Sequence, residues 1–176
     1  MAILLIYSTR DGQTLKIATA IAAHLQRADI TTKLMPLTEA LNCDLRRFDG
    51  VIIGASIRYG HFDRTLAQFV NRHYELLNRI PTAFFSVNLT ARKADKNTPE
   101  TNAYTRKFLA RIDWQPHLKA VFAGALYYPR YHPFDRIMIQ FIMRLTGGET
   151  DTSQEVEYTD WAKVDAFADS FLQLLM

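Results

Sequence analysis

Between Ser8 and Thr14 the chain reads STRDGQT. Ser8, Thr9 and Thr14 supply hydroxyls, and Gly12 lets the backbone approach a ligand closely. A helical pattern begins at Thr14, so the loop also offers backbone N–H groups that have no helical carbonyl to bind. Converging N–H groups at a helix N-terminus attract an anion. The chemistry expected is therefore capture of a phosphate monoester. Two other phosphate loops fail the spacing: a dinucleotide fingerprint needs three spaced glycines, and a Walker loop needs Lys where Gln13 follows Gly12. A phospho-acceptor domain needs an aspartate at the end of the third strand, and that strand ends GAS.

Positioning such a loop takes a sheet. Residues 2–7 (AILLIY) and 49–56 (DGVIIGAS) are nearly continuous apolar runs, as in strands buried on both faces. Further strands are expected at 31–37, 81–88 and 119–128. Helices are expected at 14–28, at 62–77, from a cap at Thr98 with Pro99 in the first turn to about Ile112, and from Asp160 to the end. Strand and helix alternate, which predicts an α/β doubly wound parallel sheet of five strands in the order 2-1-3-4-5. Ligands then bind where strand order reverses, between the first and third strands.

The 176 residues fit one domain, 1–176, and 48% of them are apolar, enough for a real core. The net charge is +3 and the pI about 9.0, which leaves open an anionic partner or ordinary scatter. Cys43 is the one cysteine, so no internal disulfide can form. The opening apolar run is too short for a signal peptide or a membrane span. A cytosolic protein, or one attached to the inner membrane from its cytoplasmic side, is expected, and nucleic acid is not expected as a partner.

The first loop resembles the phosphate loop of the flavodoxin family. Leu5, Ile6, Tyr7, Thr9, Gly12, Thr14, Ala18 and Ile21 occupy the positions of that signature. The resemblance implies FMN, with its phosphate on residues 9–14, inside a binding set of Ser8, Thr9, Arg10, Asp11, Gly12, Gln13 and Thr14. A flavin needs two further loops at the same sheet edge. One is Ser56, Ile57, Arg58, Tyr59 and Gly60, where Tyr59 offers a stacking face and Gly60 a close backbone contact. The other is Ser86, Val87, Asn88 and Leu89, where Asn88 and main-chain groups meet the pyrimidine edge.

Residues 127–152 interrupt the path to the last helix, and so long a connection is uncommon without a role. Within it Phe134, Ile137, Met138, Phe141, Ile142 and Leu145 recur at helical spacing, with Ile139 and Met143 widening the stripe. Arg136, Gln140 and Arg144 line the opposite side. Such a helix suits a membrane interface, packing on its own domain, or a second copy of the chain. Basic residues gather near the proposed site, at Arg10, Arg58, Arg92, Lys93, Lys96, Arg130 and Arg136. Guanidinium groups bind carboxylates bidentately, so a polycarboxylate substrate on Arg58, Arg92, Lys93 and Arg130 is expected; solvated surface charge is the alternative. His61 and His132 are candidate proton acceptors, and no catalytic base is identified.

Over nearly the whole chain the strings YSTRDGQT, VIIGASIRYGH, FFSVNLTARK, AGALYYPRY and GGETDT resemble the quinone-dependent protoporphyrinogen oxidase (dehydrogenase) family. That resemblance implies FMN-dependent removal of six electrons from protoporphyrinogen IX in haem biosynthesis. Menaquinone or ubiquinone is the implied acceptor, with peripheral membrane contact. An FMN-dependent NAD(P)H:quinone reductase and a flavodoxin-like electron carrier are the rival expectations.

Overall fold

A computed structural model describes residues 1–176. In chain order the elements are β1 (Ala2–Ser8), α1 (Gln13–Arg27), β2 (Thr31–Pro36), the single turn α2 (Leu37–Ala40), β3 (Gly50–Ser56), α3 (Arg64–Leu77) and β4 (Thr82–Asn88). They continue as α4 (Ala103–Arg111), β5 (Leu118–Ala123), β6 (Ala125–Tyr127), α5 (Pro133–Thr146), β7 (Glu155–Glu157) and α6 (Trp161–Leu175). Five strands form a parallel sheet in the order β2-β1-β3-β4-β5, as the alternation predicts.

The pleat explains the two cores. Ile3 and Leu5 of β1 point to the face covered by α1 and α6, where they meet Ile17, Ile21, Phe167 and Phe171. Leu4 and Ile6 point to the other face, with Leu66, Phe69 and Val70 of α3 and the buried Trp114. Central strands buried on both sides need continuous apolar sequence, which is what β1, β3 and β4 carry. Each large side chain buried this way contributes about 1.5–3 kcal/mol. Gly54 on β3 leaves no room for a Cβ, because the Phe85 ring of β4 lies across it. A Gly54→Ala change would drive that ring out of its packing.

Two local expectations change. The fourth main helix is capped by Asn102, whose Oδ1 accepts from Thr105 N at 3.2 Å, and not by Thr98. Thr98 instead hydrogen-bonds Thr101 in the preceding turn, its Oγ1 lying 2.6 Å from that of Thr101. The strand expected at 119–128 is two strands. The chain leaves the main sheet after Ala123, and β6 pairs antiparallel with β7 as a separate ribbon. Apolar sequence runs through the break at Gly124, so periodicity alone could not find it. The ribbon and α5 enclose their own small core of Leu126, Tyr128, Tyr131, Ile139 and Met143.

Candidate flavin site

The expected phosphate loop has the required geometry. Gly12 caps α1 with φ of 98°, a left-handed conformation that glycine adopts without strain. Its N–H donates to Thr9 Oγ1 at 3.0 Å, which closes the loop on itself. No side chain caps α1, so its first-turn N–H groups remain for an anion. The Thr14 hydroxyl is buried and has no hydrogen-bond partner.

A cavity of about 480 Å³ lies against this loop. Thr9, Asp11, Gln13 and Thr14 line one end, and Ser56–Gly60 and Val87–Leu89 line the walls. The Asn88 side chain is a second orphan: its Oδ1 accepts from Ala91 N and Thr90 Oγ1, while its buried Nδ2 has no partner. Buried polar atoms in native folds are almost always paired. Two orphans on the wall of one cavity therefore describe a site built for a ligand with an acceptor at each place. A phosphate at Thr14 and a pyrimidine carbonyl at Asn88 satisfy both, so the residues fit FMN.

The second loop is a two-residue turn. Arg58 and His61 exchange backbone hydrogen bonds of 3.0 and 3.1 Å, with φ of 52° at Tyr59 and 79° at Gly60. Positive φ at both central residues is the type I′ pattern. A Cβ at Gly60 would lie 3.0 Å from the Tyr104 ring, so the glycine serves close approach as well. Tyr59 is exposed, and its hydroxyl donates to Asp135 Oδ1 of α5 at 2.6 Å. Desolvation of its partly covered hydroxyl, reinforced by that hydrogen bond, pushes its phenol up to about 12.

Other expected residues do different work. Ser86 turns away from the cavity to share a 2.7 Å hydrogen bond with Thr105. Ser8, Arg10 and Gly12 do not line the cavity either, although Gly12 shapes the loop. The Gln13 side chain is buried against the ribbon: its Nε2 donates to Thr159 Oγ1 at 2.9 Å, and its Oε1 accepts from Tyr127 Oη. It ties the phosphate loop to the insertion.

The cationic rim is largely committed to the protein itself. Arg58 pairs with Asp11 and lies over the Tyr131 ring, 5.1 Å from its centroid. Arg92 donates to Leu89 O at 2.8 Å and to Thr146 O and Oγ1 at 3.0 and 2.8 Å, pinning the end of α5. Arg130 pairs with Glu155 and stacks on Tyr127. Arg136 reaches the Tyr128 and Tyr131 carbonyls. Lys93, His61 and His132 lie outside the cavity wall. A carboxylate would have to displace Asp11 to use Arg58, and sequence gives no sign of a pairing 47 positions away.

Sequence reasoning missed part of the wall. Tyr104, Tyr131 and the stripe Ile139, Ile142, Met143 and Thr146 of α5 line the cavity. Helical spacing marked that stripe as apolar without showing which side faced the flavin loops. The structure divides the helix. Phe134, Ile137, Phe141 and Leu145 are 71, 65, 56 and 71% exposed, while Ile139 and Met143 are buried.

Comparison with known proteins gives the family. The flavodoxin domain family matches residues 4–153. A protein of Leishmania major named protoporphyrinogen IX dehydrogenase (quinone) is 51% identical, covering 97% of this chain and 74% of its own length. A protein of that name from Escherichia coli K12 is 49% identical, covering 96% and 93%. An archaeal flavodoxin structure superposes with a TM-score of 0.55 at 11% identity, covering 99% of both chains, and shares the fold. The chain therefore belongs to the flavodoxin family, in the branch of FMN-dependent oxidoreductases to which these half-identical relatives belong.

Proposed function

We propose that this protein oxidises protoporphyrinogen IX to protoporphyrin IX and passes the electrons to a membrane quinone. The observation that carries the reading is the joining of a flavin cavity to an apolar helix in one wall. Ile139, Ile142 and Met143 of α5 meet Val87, Asn88 and Leu89 of the flavin loop there. The names of the half-identical relatives support the same pair of substrates. FMN, when bound, supplies the two-electron chemistry.

The chain's own residues supply position and dryness. The Gly12 cap and Thr14 hydroxyl would hold the phosphate end, and the Asn88 amide would meet the polar edge of the ring. Tyr131, Met143 and Leu89 exclude water on the insertion side. Exposed Tyr59 and Tyr104, both on the cavity wall, offer a macrocycle aromatic contact. No helix is long and apolar enough to cross a membrane. Attachment is proposed as peripheral, from the cytoplasmic side, through the exposed face of α5.

The deciding experiment is an anaerobic spectrum of the FMN-loaded protein. Protoporphyrinogen should bleach the flavin absorbance, and a quinone should restore it. Persistent colour with protoporphyrinogen, together with rapid bleaching by NADPH, would replace this reading with a nicotinamide-dependent quinone reductase.

A further inference from the structure

Asn88 stands on the cavity wall with the orientation of its amide fixed. Its Oδ1 accepts from Thr90 Oγ1 at 2.6 Å, from Ala91 N at 3.0 Å and from Asn102 Nδ2 at 3.2 Å. A backbone N–H can only donate, so Ala91 settles which end of the amide is oxygen. Nδ2 is left on the other side, buried and without a partner, in a side chain that is 95% covered.

Asn102 holds this arrangement from outside the cavity wall. It is 1% exposed and does not line the cavity. Its Nδ2 lies within reach of Asn88 Oδ1, of Thr90 Oγ1 at 3.3 Å and of Lys96 O at 3.0 Å, so one amide gathers the Asn88 side chain and the loop after β4. Its Oδ1 accepts from Thr105 N and Oγ1 at 3.2 and 3.1 Å, and Thr105 Oγ1 shares a 2.7 Å hydrogen bond with Ser86 of β4. Asn102 is thereby anchored to α4 and, through Thr105, to the sheet. Capping α4 needs only an oxygen, which serine or threonine would also supply. The amide nitrogen of Asn102 is not needed for the cap and serves Asn88 and the loop.

We propose that Asn102 is a positioning residue for the flavin: it locks the Asn88 amide with Nδ2 as a donor toward a carbonyl of the pyrimidine edge. In two-electron-reduced FMN that edge carries more negative charge, and a hydrogen bond to a charged acceptor is about twice as strong as one to a neutral acceptor. The locked donor therefore favours reduced over oxidised FMN and raises the reduction potential of the bound cofactor. The inference rests on Asn88 meeting the pyrimidine edge, and it holds whichever substrate the flavin oxidises.

The test uses the wild type, Asn88→Ala, Asn102→Ser and the double variant. Affinity for oxidised FMN is read by fluorescence quenching, and the two-electron potential of the FMN-loaded protein by equilibration with a reference dye. Asn88→Ala should weaken reduced FMN about fivefold to tenfold more than oxidised FMN, the difference between a hydrogen bond to a charged and to a neutral acceptor. Tenfold corresponds to a potential lower by about 30 mV for two electrons. Asn102→Ser keeps the cap oxygen and should lower the potential in the same direction. The double variant should fall no further than Asn88→Ala, because residues acting through one contact are not additive. Asn102→Thr repeats the measurement should the serine variant not fold. An unchanged potential in Asn88→Ala would defeat the pyrimidine assignment together with the inference. A lowered potential in Asn88→Ala beside a wild-type potential in the Asn102 variant, or additive falls in the double variant, would overturn the inference alone.

Discussion

The Gln13 amide donates to the Thr159 hydroxyl at 2.9 Å across 146 positions of sequence, and its oxygen accepts from Tyr127 at the start of the insertion. Thr159 in turn donates to Ala123 O at 2.7 Å, where the chain leaves the main sheet. The insertion is thus hydrogen-bonded to the loop that holds the cofactor. Gln13→Leu would leave the Tyr127 hydroxyl without its acceptor, while Thr159 would keep its bond to Ala123 O. Each buried unpaired group costs about 1–3 kcal/mol, so urea unfolding should show a loss of that order. FMN affinity, measured by fluorescence quenching, should fall with it, because the loop loses a brace. A variant with unchanged stability would show that the strut is slack in solution.

Thr14 behaves in the opposite sense. Its hydroxyl is buried without a partner, so the FMN-free protein gains nothing from it. Thr14→Val keeps the shape and removes the orphan. Unfolding of the FMN-free variant should be unchanged or shifted to higher urea. FMN binding should weaken by about 1.5–3 kcal/mol, the scale of a hydrogen bond to a charged group, or roughly tenfold to a hundredfold. Equal FMN affinity in the two proteins would remove Thr14 from the phosphate site.

The contrast between Gln13 and Thr14 shows what sequence could and could not reveal. Both sit in a motif legible from residue type and spacing, since Gly12, Thr14 and the apolar run before them are constrained by local backbone geometry. The five-strand order was legible for the same reason: buried parallel strands leave continuous apolar runs. The destination of the Gln13 side chain was not, because Tyr127 and Thr159 are brought to it only by tertiary packing. The rim arginines illustrate the same limit. Arg58 reads as a free cation beside the site, yet the fold gives it Asp11 and the Tyr131 ring. Thr98 followed by Pro99 satisfied a helix-start rule, but Asn102 won the cap because its carbonyl oxygen reaches Thr105 N.

Acid should weaken the tie between β7 and α1. Glu157 of β7 is drawn two ways: burial raises its pKa, while hydrogen bonds from Lys16, Trp161 and Gln13 lower it further than burial raises it. Its folded pKa lies below its ordinary value of 4.5. A carboxylate with a depressed folded pKa stabilises the fold above its unfolded pKa, and that contribution disappears as pH falls through the folded one. Stability should therefore be flat in this term near neutrality and decline below about pH 4.5. Glu157→Gln should flatten the decline when urea midpoints are followed from pH 6 to pH 3. An identical acid slope in the variant would mean the Lys16–Glu157 contact, 2.5 Å in the structure, contributes nothing in solution.

The outer stripe of α5 makes the final prediction, and the choice of residues matters. Ile137, Met138 and Phe141 are 65, 36 and 56% exposed and none of them lines the flavin cavity. Serine at all three should leave folding and FMN affinity as they are, because no internal contact of the site is lost. What changes is the apolar area available to a lipid interface. At about 25 cal/mol per Å², losing a few large side chains from that interface should lower vesicle partitioning by at least about tenfold. Ile142 is left out of the set, since it also lines the cavity and would confound attachment with quinone access. Flotation with anionic and neutral vesicles checks the outcome. Equal flotation of the wild type and the triple variant would remove α5 as the membrane contact and leave its exposed face to a protein partner.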